Sequence, residues 1–301
     1  EKSGNVAIHR LGGRSGAIKF VLPKAFLPLS LFFYASRLIR SNGYSLVHAY
    51  QASQAGGAGW LLKLFGLKLP LIVTLQEGKD LTGQGRIINF FRFLILKKAD
   101  HITAISRYLA EYGRHAGKGK IPVTVVPNGV DFERFSRPMD LDKLTALRNH
   151  WGLGAGDRVI LTVSRLVKKN GLENLIKSFS LLDDRKRLKL VIVGSDRGAS
   201  PLKDALESLA VKLGIRDRVT FCGDIDPAII PEYFKLAYVF VRPSLSEGFG
   251  NVFIEAMASG IPIVGSIVGG IPDFLKDNET GLFCDPNSPE NIAEKISILL
   301  T

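Results

Sequence analysis

The feature that most constrains this chain is a repeating unit. A short apolar run rich in β-branched residues is followed by a helix-like stretch, and the pair recurs from end to end. The strand-like runs fall at 45–50, 69–75, 100–104 and 123–126, then at 158–163, 188–194, 219–223, 238–241, 262–264 and 281–284. Helical patterning covers 25–39, 55–64, 87–97, 106–112, 141–150, 252–258 and 289–300. Leu69-Pro70-Leu71-Ile72-Val73-Thr74-Leu75 reads as a strand buried in a parallel sheet. Strands that alternate with helices predict an α/β protein, with parallel sheets covered by helices on both faces. A length of 301 residues predicts two domains. The break falls in a linker region, 132–157, with Pro138, a polar helix and a Gly-rich turn, so the expected domains are 1–137 and 138–301. The expected architecture is two doubly wound units with a cleft between them, ligands lying beyond the C-terminal strand ends.

Within the second unit, Ser246-Glu247-Gly248-Phe249-Gly250-Asn251 runs directly into helix formers from Val252 to Ala258, and Gly260 ends the run. Gly248 and Gly250 let the backbone approach a ligand closely. The free N–H groups and dipole of the helix start favour an anion, and a phosphate suits the spot. Glu247 and Glu255 lie eight residues apart, roughly 12 Å along a helix. That is too far for one proton relay. It suits the two ends of an extended polar ligand whose hydroxyls donate to each carboxylate. Sugar and ribose hydroxyls on either side of a diphosphate fit this layout.

A second anion-binding stretch is Ser164-Arg165-Leu166-Val167-Lys168-Lys169-Asn170-Gly171, which leaves a strand and opens a helix. Basic residues there make a phosphate site, with Arg165 able to grip a diphosphate bidentately and Lys169 adding a mobile charge. Such cations stabilise negative charge growing on a leaving nucleoside diphosphate.

Charge divides the chain in the same place as the linker. Residues 1–137 carry 20 Lys and Arg against 7 Asp and Glu, so +13, while 138–301 carry 20 against 21, so −1. The basic half predicts an acidic partner: an anionic membrane surface, a phosphorylated or lipid acceptor, or nucleic acid. Helix-turn-helix, zinc-finger and RRM signatures are absent, which argues against specific nucleic-acid binding. Cys222 and Cys284 imply no disulfide framework, and a cytosolic compartment is the simplest reading. No signal peptide is visible at the start, and the apolar stretch Phe20–Ala35 is interrupted by Pro23, Lys24 and Pro28, short of a membrane span.

The spacing of Glu247 and Glu255, with Arg242-Pro243-Ser244 before it and Ala256-Met257-Ala258-Ser259-Gly260-Ile261-Pro262-Ile263-Val264 after it, resembles the E-x7-E motif of retaining glycosyltransferases of family 4. The likeness continues through Val268-Gly269-Gly270-Ile271-Pro272 and Asn278-Glu279-Thr280-Gly281-Leu282 and covers most of 121–301. It implies the GT-B fold: two Rossmann-like domains facing across a cleft, an acceptor side in 1–137 and a nucleotide-sugar side in 138–301. It implies a hexosyltransferase that moves a sugar from a UDP- or GDP-sugar to a lipid-linked, polysaccharide or other glycan acceptor with retention. The nucleotide sugar is then a co-substrate, with no cofactor and no metal required. The protein would be cytoplasmic, peripheral at the inner face of the membrane. Residue by residue, the resemblance gives Glu247 the donor sugar hydroxyls and Glu255 the ribose. Backbone amides of Phe249, Gly250, Asn251 and Val252 would meet sugar or phosphate, and backbone near Gly223 and Ile225 the nucleobase. The family pattern Arg-Leu-x-x-x-Lys-Gly places Lys at position 170, where this chain has Asn170, so Lys169 stands in by proximity. Family members often carry a His after the strand matching Leu71–Leu75, where this chain has Gln76-Glu77-Gly78-Lys79-Asp80, leaving Gln76 and Glu77 to orient a hydroxyl. Beside the family pattern the chain also starts after the first strand and Gly-rich loop and stops before the closing helices, which implies a fragment.

Other motifs point elsewhere more weakly. Asp224-Ile225-Asp226 is a DxD tripeptide of the kind that holds a metal in other glycosyltransferases, but in a loop its carboxylates are expected to be solvated. Gly152-Leu153-Gly154-Ala155-Gly156 precedes a strand, the wrong context for a dinucleotide fingerprint. His9, His48, His101, His115 and His150 lack metal-ligand spacing and are expected to be ordinary hydrogen-bonded imidazoles. The rival to an enzyme is a catalytically inactive basic module that binds anionic glycan, lipid or nucleic acid. A sugar-nucleotide epimerase fits the motif spacing less well.

Overall fold

The computed structural model describes residues 2–3, 6–9, 26–78, 81, 83–154, 156–182, 187–196 and 202–300. Most of the Gly- and charge-rich opening, and Lys79, Asp80 and Ala155 of the loops named above, lie outside the described residues. The chain divides into two units, Glu1–Pro127 and Asn128–Thr301.

In the first unit β1 (Lys2–Ser3) and β2 (Val6–Ala7) form a small antiparallel pair. After α1 (Leu27–Ser41) come β3 (Val47–Tyr50), α2 (Gln54–Leu64), β4 (Leu71–Leu75), α3 (Arg86–Lys97), β5 (His101–Ala104), α4 (Arg107–Ala116) and β6 (Val123–Val125). β3 to β6 pair in sequence order, all parallel. One face of this sheet is apolar and buried, with Leu71, Val73, Leu75, Ile102 and Ala104 fully covered. Small residues let the helices approach it closely: a methyl at Gly59 of α2 would meet Leu71 at 2.7 Å, and one at Gly113 of α4 would meet Ile102 at 3.2 Å. The other face carries a hydroxyl and imidazole ladder: His48 Nε2 lies 2.6 Å from Thr74 Oγ1, which lies 2.6 Å from Thr103 Oγ1. Histidines on and around this unit are hydrogen-bonded locally, His101 to Thr124 and His115 to the Glu111 carbonyl. Ser106 caps α4 as its sequence predicts, accepting from the Leu109 amide at 3.3 Å.

The second unit contains α5 (Phe132–Ser136), α6 (Leu141–His150), β7 (Arg158–Val163), α7 (Leu172–Ser180), β8 (Leu188–Val193) and α8 (Leu202–Lys212). There follow β9 (Val219–Gly223), α9 (Ile230–Leu236), β10 (Ala237–Arg242), α10 (Asn251–Ala258), β11 (Ile263–Ser266), β12 (Leu282–Cys284) and α11 (Pro289–Leu300). The sheet order is β12-β11-β10-β7-β8-β9, all parallel. Alternation along β7 explains why it needs two helical layers. Ile160 joins a core with Leu175, Ile176 and Phe179 of α7 and Ile292 and Ile296 of α11, while Val159 and Leu161 join another with Phe234 of α9 and Phe253 of α10. Phe135 of α5 belongs to the second core, its ring 5.8 Å from that of Phe234. The segment after Pro127 therefore groups with the second unit, whereas the composition of the linker placed the break at 137. α5 itself, a single turn anchored by that one aromatic, is an element the sequence pattern did not reveal.

Cys284 is buried and Cys222 half-buried, and both are free thiols. Burial pushes each up to about 12. Among the described residues no helix is long and apolar enough to cross a membrane.

Candidate functional site

The strand order of the second unit reverses between β7 and β10. β8 and β9 step outward on one side of β7, and β10 to β12 step outward on the other. At such a reversal the connections leave in opposite directions and open a crevice at the C-terminal strand ends, where open α/β sheets take ligands. Both anion-binding stretches read from the sequence leave the sheet there: 164–171 follows β7, and 243–250 follows β10. Each feeds a helix, α7 and α10, whose N-terminus has no side-chain cap. Two uncapped amide ends are thus presented at adjoining strands.

Backbone contacts tie the two stretches together. The Leu245 amide donates to the Lys169 carbonyl at 2.7 Å, and Lys169 Nζ donates to the Ser246 carbonyl at 3.4 Å. Gly171 (φ +70) packs so closely on the second loop that an added Cβ would lie 1.8 Å from the Pro243 carbonyl oxygen. Gly269 (φ +55) supports the loop from behind, where a Cβ would lie 1.6 Å from the Glu247 carbonyl oxygen. Phe249 is buried, its ring 5.2 Å from Phe274, and fixes the turn into α10. Asn251 is held from its side chain by Asn128 at 2.9 Å.

Arg242 is the centre of the charged cluster. It ends an apolar strand and is 8% exposed. Its guanidinium donates to Glu247 Oε2 at 2.7 Å and to Asn170 Oδ1 at 2.8 Å. Asn170, itself buried, donates onward to the Arg165 carbonyl at 2.7 Å. Lys169 Nζ lies 3.9 Å from the other oxygen of Glu247, which also accepts from the Gly248 amide at 3.1 Å. Burial pulls the Arg242 guanidinium below its ordinary value; Glu247 opposes that shift, the neighbouring Arg165 adds to it, and Glu255 opposes it. A guanidinium stays protonated through such a shift. Burial also raises the Glu255 carboxyl above the ordinary carboxylate range, against the fields of Arg134 and Arg242. Arg165, Glu247 and Glu255 are therefore within electrostatic reach of one buried cation, Lys169 lies beside Glu247, and Gly248 to Val252 lie in the chain segment between the two glutamates.

Gly223 and Ile225 lie farther along the same edge. β9 is two strands from β7, about 10 Å at the usual strand spacing. Gly223 is tied to Gly194 at the end of β8, whose amide donates to the Gly223 carbonyl at 2.8 Å. Gly194 in turn abuts Ser164, since a Cβ there would lie 2.0 Å from the Ser164 carbonyl oxygen. The crevice edge is thus continuous from Glu247 to Gly223.

Gln76 and Glu77 belong to the first unit. Glu77 is buried, and its two oxygens accept from the amides of Ala52 and Gln76, each at 2.8 Å. In this arrangement the Glu77 carboxylate fastens the loop after β4 to the loop after β3. In the DxD tripeptide, Asp226 caps the following turn through the Ala228 amide at 2.8 Å. Among the described residues no group of three or more His, Cys, Asp or Glu is placed to hold a metal.

Arg242 and Asn170 are the site residues that sequence reasoning missed. An arginine closing the apolar run Ala-Tyr-Val-Phe-Val was a readable signal, because a charge at the end of a buried strand needs a partner. Its link to Asn170 joins positions 72 residues apart and had no local signature.

Comparison with known proteins places these features in context. The family model described as glycosyl transferases group 1 matches residues 145–301, and that described as Glycosyltransferase Family 4 matches residues 4–134. A D-inositol 3-phosphate glycosyltransferase of Xylanimonas cellulosilytica is 30% identical over 299 residues, covering 93% of this chain and 70% of that protein. A GDP-mannose-dependent alpha-(1-6)-phosphatidylinositol monomannoside mannosyltransferase of Mycobacterium tuberculosis is 33% identical over 211 residues, 67% of this chain and 52% of that protein. An uncharacterised glycosyltransferase of Methanocaldococcus jannaschii is 34% identical over 179 residues, 60% of this chain and 45% of that protein. Among solved structures, a sucrose-phosphate synthase from Thermosynechococcus elongatus aligns with TM-score 0.80 and 26% identity, covering 94% of this chain and 72% of that one. Anabaena HepE in complex with UDP aligns with TM-score 0.78 and 21% identity, covering 88% and 71%, a likeness of fold. The chain thus spans 45–70% of the length of the three curated relatives.

Proposed function

The chain belongs to the group 1 glycosyl transferases, and on that premise we propose that it moves a sugar from a UDP- or GDP-sugar to a lipid-linked, polysaccharide or other glycan acceptor with retention of configuration. The observation that carries the reading is the clustering of Arg165, Lys169, Glu247 and Glu255 around buried Arg242 at the strand-order reversal, beside two uncapped helix starts. A diphosphate placed there meets Arg165, Lys169 and the amides of the α10 start, including Asn251 and Val252. Glu247 accepts from donor-sugar hydroxyls and Glu255 from the ribose. The base lies toward Gly223 and Ile225.

In the transfer, the bond from the anomeric carbon to the leaving phosphate oxygen breaks as the acceptor oxygen bonds to that carbon from the same face. The acceptor proton passes to the leaving phosphate, so no strong protein base is needed. Arg165 and Lys169 stabilise the charge that develops on the diphosphate. With that charge met by side chains and amides, the reading calls for no metal and no cofactor. We place the protein in the cytoplasm, peripheral to the inner membrane face through its basic first half.

Nucleotide binding is the direct test. UDP or GDP at a hundred times its dissociation constant stabilises by about 2.7 kcal/mol, so one of them raises the melting temperature, and Lys169→Glu weakens that response. Turnover of one member of a UDP-, GDP- and ADP-sugar panel then identifies the donor. A chain that answers to DNA or anionic glycan and to none of the nucleotides is instead the inactive binding module.

A further inference from the structure

In the first unit, α3 buries Ile95 and Leu96 in its last turn, but its first two turns are built inside out. Its inward side carries Arg92, 3% exposed, which is held by Asn89 at 3.1 Å and Gln84 at 3.0 Å and lies 5.9 Å over the Tyr112 ring. Its first two turns turn Ile87, Ile88, Phe90 and Phe91 outward, at 74, 51, 58 and 52% exposure. Leaving four large apolar side chains in water while spending interior space on a guanidinium is unfavourable for a helix that meets only water. The arrangement becomes favourable when the outer side meets an apolar medium.

Charge identifies that medium. Residues 81–99 contain Arg86, Arg92, Lys97 and Lys98 and no Asp or Glu. Lys97 and Lys98 are exposed at the helix end, and the ammonium groups of Lys97 and Lys118 lie 5.9 and 5.8 Å from the Phe93 ring. Bulky apolar and aromatic side chains flanked by unpaired-sign basic residues are the composition of a helix lying in a membrane interface, where alkyl stems share the apolar layer and charged heads meet phosphates. The core of a protein–protein interface is instead depleted in Lys. Position agrees with this choice. α3 follows the loop that leaves the C-terminal end of β4, the end at which parallel sheets present their ligand sites.

We propose that the first two turns of α3 insert into the interface of an anionic phospholipid bilayer, with Arg86, Lys97 and Lys98 on its headgroups. This deepens the membrane-facing part of the proposed function and rests on it: a lipid-linked acceptor would meet the first unit where that unit meets the bilayer.

The test is flotation of the full chain with vesicles of phosphatidylcholine alone and of phosphatidylcholine with one-third phosphatidylglycerol. The chain floats with the anionic vesicles and is released as salt rises. F90S/F91S lowers the partition coefficient about tenfold or more. K97E/K98E abolishes the preference for anionic lipid, and Val211→Ser, an equally exposed apolar position of the second unit, changes nothing. Failure to float at low salt, or flotation that neither double variant alters, overturns the proposal. So does a dimer that F90S/F91S dissociates in the absence of lipid binding, which would make a second copy the occupant. The nucleotide-induced melting shift is read on the same samples: its loss with lipid binding intact counts against the transferase reading alone, and its presence without lipid binding counts against the membrane surface alone.

Discussion

Arg242 holds two positions of the site at once, Asn170 and Glu247, so its removal has consequences that a surface arginine would not have. Arg242→Ala strands the half-buried Glu247 beside Lys169 and leaves Asn170 Oδ1 without its donor, and it is expected to cost about 3 kcal/mol in urea denaturation. Arg242→Lys recovers only part of this, because one terminal guanidinium nitrogen donates to both Asn170 and Glu247, and the ammonium sits on a shorter stem and is more strongly hydrated, so it is harder to bury there. Full stability in R242A would mean that the buried pair is not the keystone of the loop. Glu255 gives the opposite sign. Its raised carboxyl pKa means that the fold favours the protonated form. The stability from this preference is present below the ordinary glutamate value, about 4.3, and is lost as pH rises through the raised value. Glu255→Gln, which mimics the protonated acid, should therefore melt above the wild type at pH 7. The two should converge as the buffer is taken below the ordinary value. The same variant loses much of its melting response to UDP or GDP, since an amide cannot replace the charged acceptor for ribose hydroxyls. A variant less stable than wild type at pH 7 would show that the carboxylate is favoured by its arginine neighbours after all.

At the scale of elements, the site consists of two strand-to-helix connections held against each other by close backbone approach. Gly269 makes the point sharply: a methyl there collides with the Glu247 carbonyl, in a left-handed conformation that side chains disfavour. Gly269→Ala is expected to cost about 3 kcal/mol by the measures of overpacking and backbone strain. It should abolish the nucleotide melting response through displacement of Glu247, with no polar group removed. Retention of that response would place Gly269 outside the support of the site. The strand–helix alternation, the helix over 141–150 and the helix from Pro289 to Leu300 were legible in the sequence because each is set by local periodicity and capping. α5 was not, since five residues around one buried phenylalanine carry no period. The Arg165–Asn170–Arg242–Glu247 chain was legible only in part. Each loop announced anion binding by its own composition, but Asn170 looked like a lost lysine, and only the neighbouring strand explains why an amide serves at that position.

For the whole molecule, every contact described at the crevice lies within 128–301, and that unit has its own two cores. Residues 128–301 expressed alone should therefore unfold cooperatively and keep a melting response to the nucleotide, while losing transfer. An unfolded product would show that the first unit is needed to complete its cores. The sequence by itself determined the alternation of strands and helices, the confinement of the net positive charge to the first half, and the two glutamates and the two anion-binding loops, one basic and one glycine-rich, that match group 1 glycosyl transferases. Those properties are local, fixed by side-chain periodicity, turn residues and ionisation. Tertiary structure alone decided that β10 returns beside β7, and with it that Arg242 meets Asn170 and Glu247. Such pairing depends on which strands share hydrogen bonds across long intervals of chain, which no local pattern records.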